Sequence, residues 1–455
     1  MSTPPSGTAH PGRADDLDDL SEWMSRPASP ESDAEMRRAR AIGRAVARIF
    51  WSVVLSALAA GTGYTIWALS APVPEPTIEA VAPAVDPATP AEFAVPTEGS
   101  SILSLRGGSE FLGPDAAGEG MLVESGSGEQ RPMASITKLI TALVILEAYP
   151  LEGLDDPGPT LTFSETDHDL YDAYYVQGAT VAAMPAGSQM TLRGALATML
   201  IPSASNYAEA VSTWAFGSQW AFRDAARAWL EARGLADTVL VEPTGLDPRN
   251  VSTPSDLMAL ARIAAEHPVI ARISATPAVS FPGTGTVYTT NTLLGQNGIT
   301  GLKTGNLGPG TFGLVYTATL EIAPDVTLDV TGVRLGAQTR DSLHTDVLRL
   351  LDSVEAGFHS VPLAQEGQRV GTVSTPWGAT AEVVIAEDAE VFTWSDTPID
   401  ARMESVPLDA PRDGATVGVI TWTAGPETVS ASVVVRGDVE PPSAWWRLTH
   451  PAELG

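Results

Sequence analysis

The chain has 455 residues, enough for more than one domain, and its 44% apolar content suffices for a sizeable core. A formal net charge of −29 argues against a nucleic-acid partner, because phosphate binding needs clustered Lys and Arg. The absence of cysteine excludes disulfide staples, thiolate nucleophiles and cysteine-based metal sites.

Residues 1–48 open with an acidic, Pro- and Ser-rich stretch without hydrophobic period, expected to be a disordered cytoplasmic tail. It ends in a basic flank, Arg37, Arg38, Arg40, Arg44 and Arg48. Ile49–Ser70 follows without a charge over 22 residues, long enough to cross the hydrocarbon of a membrane. The basic flank would stay inside, placing the remainder outside as the head of a single-pass membrane protein. A cleaved signal peptide is the rival, since Ala68-Leu69-Ser70 has small residues at a suitable spacing. The Pro-rich stretch 71–100 reads as an extended spacer holding that head away from the membrane.

From 101 to 358 short strands mix with long helices. Met133–Tyr149 reads as one helix, apolar on most faces and therefore buried. Thr253-Pro254-Ser255-Asp256 has the form of a helix start, with Thr as N-cap and Pro in the first helical position. After 359 the period changes. Arg369–Ser374, Thr380–Ile385, Ala401–Val406, Thr416–Thr423 and Val429–Arg436 alternate apolar and polar residues, predicting a small all-β domain over 359–440. A tail, 441–455, carries Trp445 and Trp446.

The chemistry is concentrated around the chain's two lysines, Lys138 and Lys303. Ser135 and Lys138 are three residues apart, which places both side chains on one face of a helix. A buried Lys loses proton affinity, and the neutral amine can then activate a Ser hydroxyl. Taken alone, Ser-x-x-Lys is more often a helix cap followed by a surface charge. Lys303-Thr304-Gly305, followed by Asn306, offers a cation and a hydroxyl to a substrate carboxylate, with a glycine that permits close backbone approach. Between them lies Ser203-Ala204-Ser205-Asn206, whose hydroxyls and amide suit proton relay and peptide binding, although such a stretch is commonly only a helix cap. The six His residues (His10, His168, His267, His344, His359, His450) show no metal-ligand spacing and read as structural or exposed.

Ser-x-x-Lys, a Ser-x-Asn-like element and Lys-Thr-Gly, in that order, resemble the penicillin-recognising serine acyl-transferases. Within them the chain is similar to the serine D-Ala-D-Ala carboxypeptidases, the low-molecular-mass penicillin-binding proteins. The similarity lies in Arg131–Lys138, in Thr244-Gly245-Leu246-Asp247 with Ser252-Thr253, and in Thr290–Leu294 leading into Gly301–Gly305. It implies a mixed α/β (α+β) fold of the penicillin-binding and β-lactamase type over 101–358, followed by a small C-terminal β-sandwich.

It also implies roles. Ser135 would be acylated with Lys138 as general base, and Ser203 would relay a proton. Lys303 and Thr304 would orient the terminal carboxylate, and the backbone N–H groups of Ser135 and Asn306 would form the oxyanion hole. The implied substrate is a peptidoglycan stem peptide, with β-lactams as covalent inhibitors and neither metal nor cofactor. One departure is visible: the family's motif Asn falls on Ser205, with Asn206 next to it, and either is a candidate for the substrate contact.

Two rivals remain. One is a β-lactamase of the same fold, because Glu242-Pro243 imitates the loop that carries a deacylating Glu, although Thr-Gly-Leu-Asp fits the carboxypeptidases. The other is a catalytically dead cell-wall scaffold, supported by Ser205.

Overall fold

The computed structural model describes residues 30–86, 88–324, 326–407 and 411–455. Most of the acidic tail, residues 1–29, lies outside the described residues. Helix α1, Pro30–Ser70, runs unbroken for 41 residues. The segment 30–48, expected as irregular tail and basic flank, is therefore helical. Its Ala, Glu, Met and Arg residues are strong helix formers, and they continue the apolar stretch toward the N-terminus. Part of α1 is long and apolar enough to cross a membrane, and that stretch is not buried inside the protein. Ile49, Trp51, Val53, Leu55, Leu58 and Ile66 are all exposed.

The stretch 71–100 is not a free spacer. Strand β1, Thr77–Ala80, pairs antiparallel with Arg369–Ser374, Ile78 opposite Val373 and Ala80 opposite Gly371. Proline rarely enters a sheet, but β1 is an edge strand only four residues long, so the flanking prolines cost no ladder bond. Gly371 is needed there: a Cβ at this position would lie 2.1 Å from the Glu79 carbonyl oxygen. Ile78, Ala80, Ala82, Val85 and Ala88 then cover the core of the β-rich unit, and Phe93 meets Trp394. These scattered apolar residues, hidden among the prolines, bury the segment.

The central unit is built on a five-stranded antiparallel sheet of β2 (Ser100–Arg106), β3 (Met121–Gly126), β4 (Ile299–Gly305), β5 (Phe312–Ala323) and β6 (Val326–Ala337), in the order β4-β5-β6-β2-β3. Successive residues point to opposite faces, and here both faces are apolar. Ile102, Leu302, Val315 and Val333 face one core, whereas Leu103, Leu105, Leu314, Tyr316 and Val330 face another.

The first core belongs to a helical layer: α2 (Thr137–Ala148), α3 (Glu165–Tyr175), α4 (Leu192–Leu200), α5 (Ser205–Phe216), α6 (Gln219–Ala232), α7 (Pro254–Glu266) and α8 (Pro268–Ser274). The expected N-cap of α7 is formed, Thr253 accepting from the Asp256 N–H. The second core is closed by α9, Arg340–Ala356, through Leu343, Val347, Leu350, Leu351 and Val354. Strand β4 lies at the sheet's end, so its free edge borders the junction between helices and sheet.

The α+β class with a C-terminal β unit is the observed architecture. That unit has β7 (Phe358–Ala364), β8 (Arg369–Ser374), β9 (Thr380–Ile385), β10 (Ala389–Trp394), β11 (Ile399–Ser405), β12 (Thr416–Ala424) and β13 (Glu427–Arg436). A six-stranded sheet, β1-β8-β9-β13-β12-β11, is covered by the pair β7-β10 around Val373, Val383, Ile420, Trp422 and Val433.

Residues 443–455 return to α1. In α10, Ala444–Thr449, the Arg447 guanidinium donates to the Ala71 carbonyl at 2.8 Å and to that of Ala68 at 3.4 Å. A cation among carbonyls at a helix C-terminus complements the helix dipole. Tyr64 donates to the Leu448 carbonyl at 2.6 Å. Trp446 stacks on His450 and meets Trp377 edge-on, while Trp445 stays 74% exposed.

Candidate active site

The segment around Ser135 is not one regular helix from Met133. A single 3-10 turn, Ala134–Ile136, precedes α2. Ala134 has φ +47°, a left-handed conformation that a residue with a Cβ adopts at a cost of about 1–3 kcal/mol. Glycines from two other segments close on this turn. A Cβ on Gly245 would sit 1.9 Å from the Ala134 carbonyl oxygen, and one on Gly305 would sit 2.5 Å from that of Met133. The motifs around Thr244 and Lys303 thus need glycine because backbone touches backbone there.

Lys138 is fully buried, and its Nζ donates to Ser135 Oγ at 2.9 Å and to the Thr244 carbonyl at 2.6 Å. Burial lowers its pKa to about 7, the Glu242 carboxylate opposing part of that fall. Near neutral pH the amine is therefore partly unprotonated and can take a proton from the adjacent hydroxyl.

Lys303 is buried and is not among the residues that line the cleft. It is 2% exposed, opposite Val315 in the sheet, and donates to the Thr304 carbonyl at 3.1 Å. Burial, and then the neighbouring Lys138, pull its pKa well down. Thr304 lines the cleft, its hydroxyl 2.7 Å from that of Thr290. The two side chains leave β4 on opposite faces, as strand alternation requires.

The cleft, about 150 Å³, brings together Ser135, Ser203, Ser205, Thr304, Gly305 and Asn306. Ser203 has φ +69°, and its buried hydroxyl has no hydrogen-bond partner among the described residues. Ser205, in the first turn of α5, is 2% exposed and lines the same cleft. The Asn306 amide oxygen accepts from the Gly308 N–H at 2.7 Å, which turns the chain after β4.

Asn206 must be corrected. Its amide oxygen accepts from the Ala182 N–H at 3.1 Å and its amide nitrogen donates to the Ala182 carbonyl at 2.8 Å. Fully buried, with its oxygen and nitrogen both spent on Ala182, it anchors the segment that carries Ala179 and Thr180 to the cleft and is not a substrate contact. Asn206→Ala is therefore expected to lower stability by about 2 kcal/mol, because the Ala182 groups would stay buried and unpaired. Chemical denaturation measures this.

Two ionisable cleft residues were not singled out by the sequence reading, Arg340 and His344 in the first turns of α9. Arg340 reaches toward the Thr290 carbonyl at 3.5 Å, and His344 Nε2 lies 3.1 Å from the Thr292 hydroxyl. The only local signal was the N-cap at Thr339, which places both residues on a helix but says nothing of what that helix faces.

Fold and site together define an α+β protein with a Ser-x-x-Lys pair at its cleft. The chain belongs to the D-alanyl-D-alanine carboxypeptidase family, whose model matches residues 109–338. A D-alanyl-D-alanine endopeptidase of Pseudomonas aeruginosa is 35% identical over 147 residues, covering 32% of this chain and 44% of that protein. D-alanyl-D-alanine carboxypeptidase DacF of Bacillus subtilis is 24% identical over 289 residues, 60% of this chain and 69% of that protein. Penicillin binding protein 5 from Haemophilus influenzae superposes with a TM-score of 0.49 at 18% identity, covering 78% of this chain and 99% of that one. The chain thus spans less than half the length of the curated endopeptidases that it matches.

Proposed function

We propose that the protein is a serine D-Ala-D-Ala carboxypeptidase, removing the terminal D-alanine from peptidoglycan stem peptides outside the membrane that α1 would span. The observation that carries this reading is the Ser135–Lys138 pair, 2.9 Å apart, with the lysine buried and its pKa near neutrality. Neutral Lys138 accepts the Ser135 proton as Oγ attacks the carbonyl carbon of the penultimate residue. The backbone N–H groups of Ser135 and Asn306 receive the oxyanion, and Ser203 passes a proton to the departing D-alanine amine. Water then hydrolyses the ester. The terminal carboxylate is held by Thr304 and by Arg340, which brings a cation to the cleft itself, whereas Lys303 acts from its buried position.

The β-lactamase alternative loses its main support. Glu242, the residue that would hold a deacylating water, has its carboxylate occupied by backbone N–H groups of its own loop. A second reading, cleavage of cross-linked stems, is favoured by the relatives named D-alanyl-D-alanine endopeptidase, 35% and 32% identical. Incubation of the full chain in detergent with a muramyl pentapeptide is expected to remove the mass of one alanine. Conversion of only a cross-linked dimer would favour the second reading, and failure to process either would favour the scaffold.

A further inference from the structure

Glu242 has no part in the proposed reaction, yet it is the most heavily bonded side chain near Lys138. Its Oε2 accepts from the Thr244 N–H at 2.6 Å. Its Oε1 accepts from the N–H groups of Gly245 at 2.7 Å and Asp247 at 3.2 Å, and from the Asn250 amide at 2.5 Å. Three backbone N–H groups converging on one carboxylate fold residues 242–247 into a tight loop. The far side of that loop is gripped by α2, where Thr141 donates to the Pro243 carbonyl at 2.8 Å and Lys138 to the Thr244 carbonyl at 2.6 Å. Thr141 and Lys138 are three residues apart on one helix face, so helix and loop are held together at two consecutive carbonyls.

We infer that Glu242 is a positioning residue for the acylation base: it holds the Thr244 carbonyl against Lys138 Nζ and sets a negative charge behind that carbonyl. The inference rests on the proposed role of Lys138 as base. The geometry gives it two arms. A carbonyl fixed on Nζ leaves the amine aimed at Ser135, and a carboxylate behind that carbonyl stabilises the ammonium form. The charged groups around Lys138 are few. Glu242 approaches from the loop and Lys303 from β4. Tyr174 on α3 is also within reach of the Glu242 charge, but its hydroxyl is hydrogen-bonded to Glu209 on α5, and burial pushes its ionisation up. Glu242 favours the Lys138 ammonium, so Glu242 is the group whose removal lowers the proton affinity of Lys138.

Having two lysines makes the test direct. The full chain, labelled with 13C at lysine Cε, gives two side-chain signals, and Lys303→Arg identifies that of Lys138. Glu242→Gln is expected to move the Lys138 midpoint down by about one pH unit and to slow covalent labelling by a fluorescent penicillin about tenfold or more. Glu242→Asp keeps the charge but draws the carboxylate back by one methylene. It is expected to retain the midpoint while labelling several-fold more slowly. A folded Gln variant with reduced melting temperature and an unmoved Lys138 midpoint would show a merely structural residue and overturn the inference. If the Gln variant does not fold, the Asp variant decides, and an unchanged labelling rate there would overturn it equally. Absence of labelling in the unaltered protein would instead strike the proposed function, while the titration would still test the electrostatic arm.

Discussion

Ser135→Ala is expected to abolish covalent capture of a fluorescent penicillin, with no residual label at any pH. The expectation follows from placement. Ser203 and Ser205 also line the cleft, but among the described residues only the Ser135 hydroxyl is hydrogen-bonded to the Lys138 amine. The bond at 2.9 Å needs no rearrangement before proton transfer. Label retained by the Ala variant, located by peptide mass, would refute the assignment and name the true nucleophile.

The second large effect concerns Lys138. Lys138→Ala is expected to slow acylation by about 10² to 10⁴, the usual contribution of a general base. In the unaltered protein the acid limb of acylation should lie near the lysine's pKa of about 7. The sign follows from the base role: the neutral amine is the active form, so the rate falls about tenfold per pH unit below that midpoint and levels off above it. Burial is the larger cause of the shift, so an exposed lysine in the same sequence context would place the limb several units higher. Acylation that is flat between pH 5 and 8 would exclude Lys138 as the base.

How far these features were legible depended on the range of the contacts. Ser135 and Lys138 meet through one turn of chain, and helical spacing alone brings them together. Lysine is so scarce in this chain that composition by itself singles out Lys138 and Lys303. The alternation that marked Arg369–Ser374 and Thr380–Ile385 was equally local, and both are strands. Contacts between distant segments were not legible. The partner of Asn206 is Ala182, 24 residues upstream in an irregular segment, and nothing in Ser-Ala-Ser-Asn announces it. Arg340 and His344 reach the cleft because α9 packs on β5 and β6, strands of the sheet that β4 ends. The stretch 71–100 misled for a physical reason: proline removes donors, which argues for a solvated spacer, but an edge strand four residues long does not need them.

The return of residues 443–455 to the end of α1 changes the mechanics of the whole molecule. A head joined to its helix by one strand of chain can swivel about that strand. Here it is joined twice, directly through Ala71 and again through Arg447 and Leu448, which lie near the other end of the chain. Two attachments define an axis and remove the free rotation that a single pivot allows. Strand β1, stitched into the neighbouring sheet immediately after the helix, shortens the lever further. With α1 embedded in a bilayer, the cleft would have a set height and bearing, and a tilt of the helix would be passed to it rigidly. On the proposed function, the cleft would then work on the layer of wall that this geometry brings within reach, as a fixed tool does and a tethered one does not.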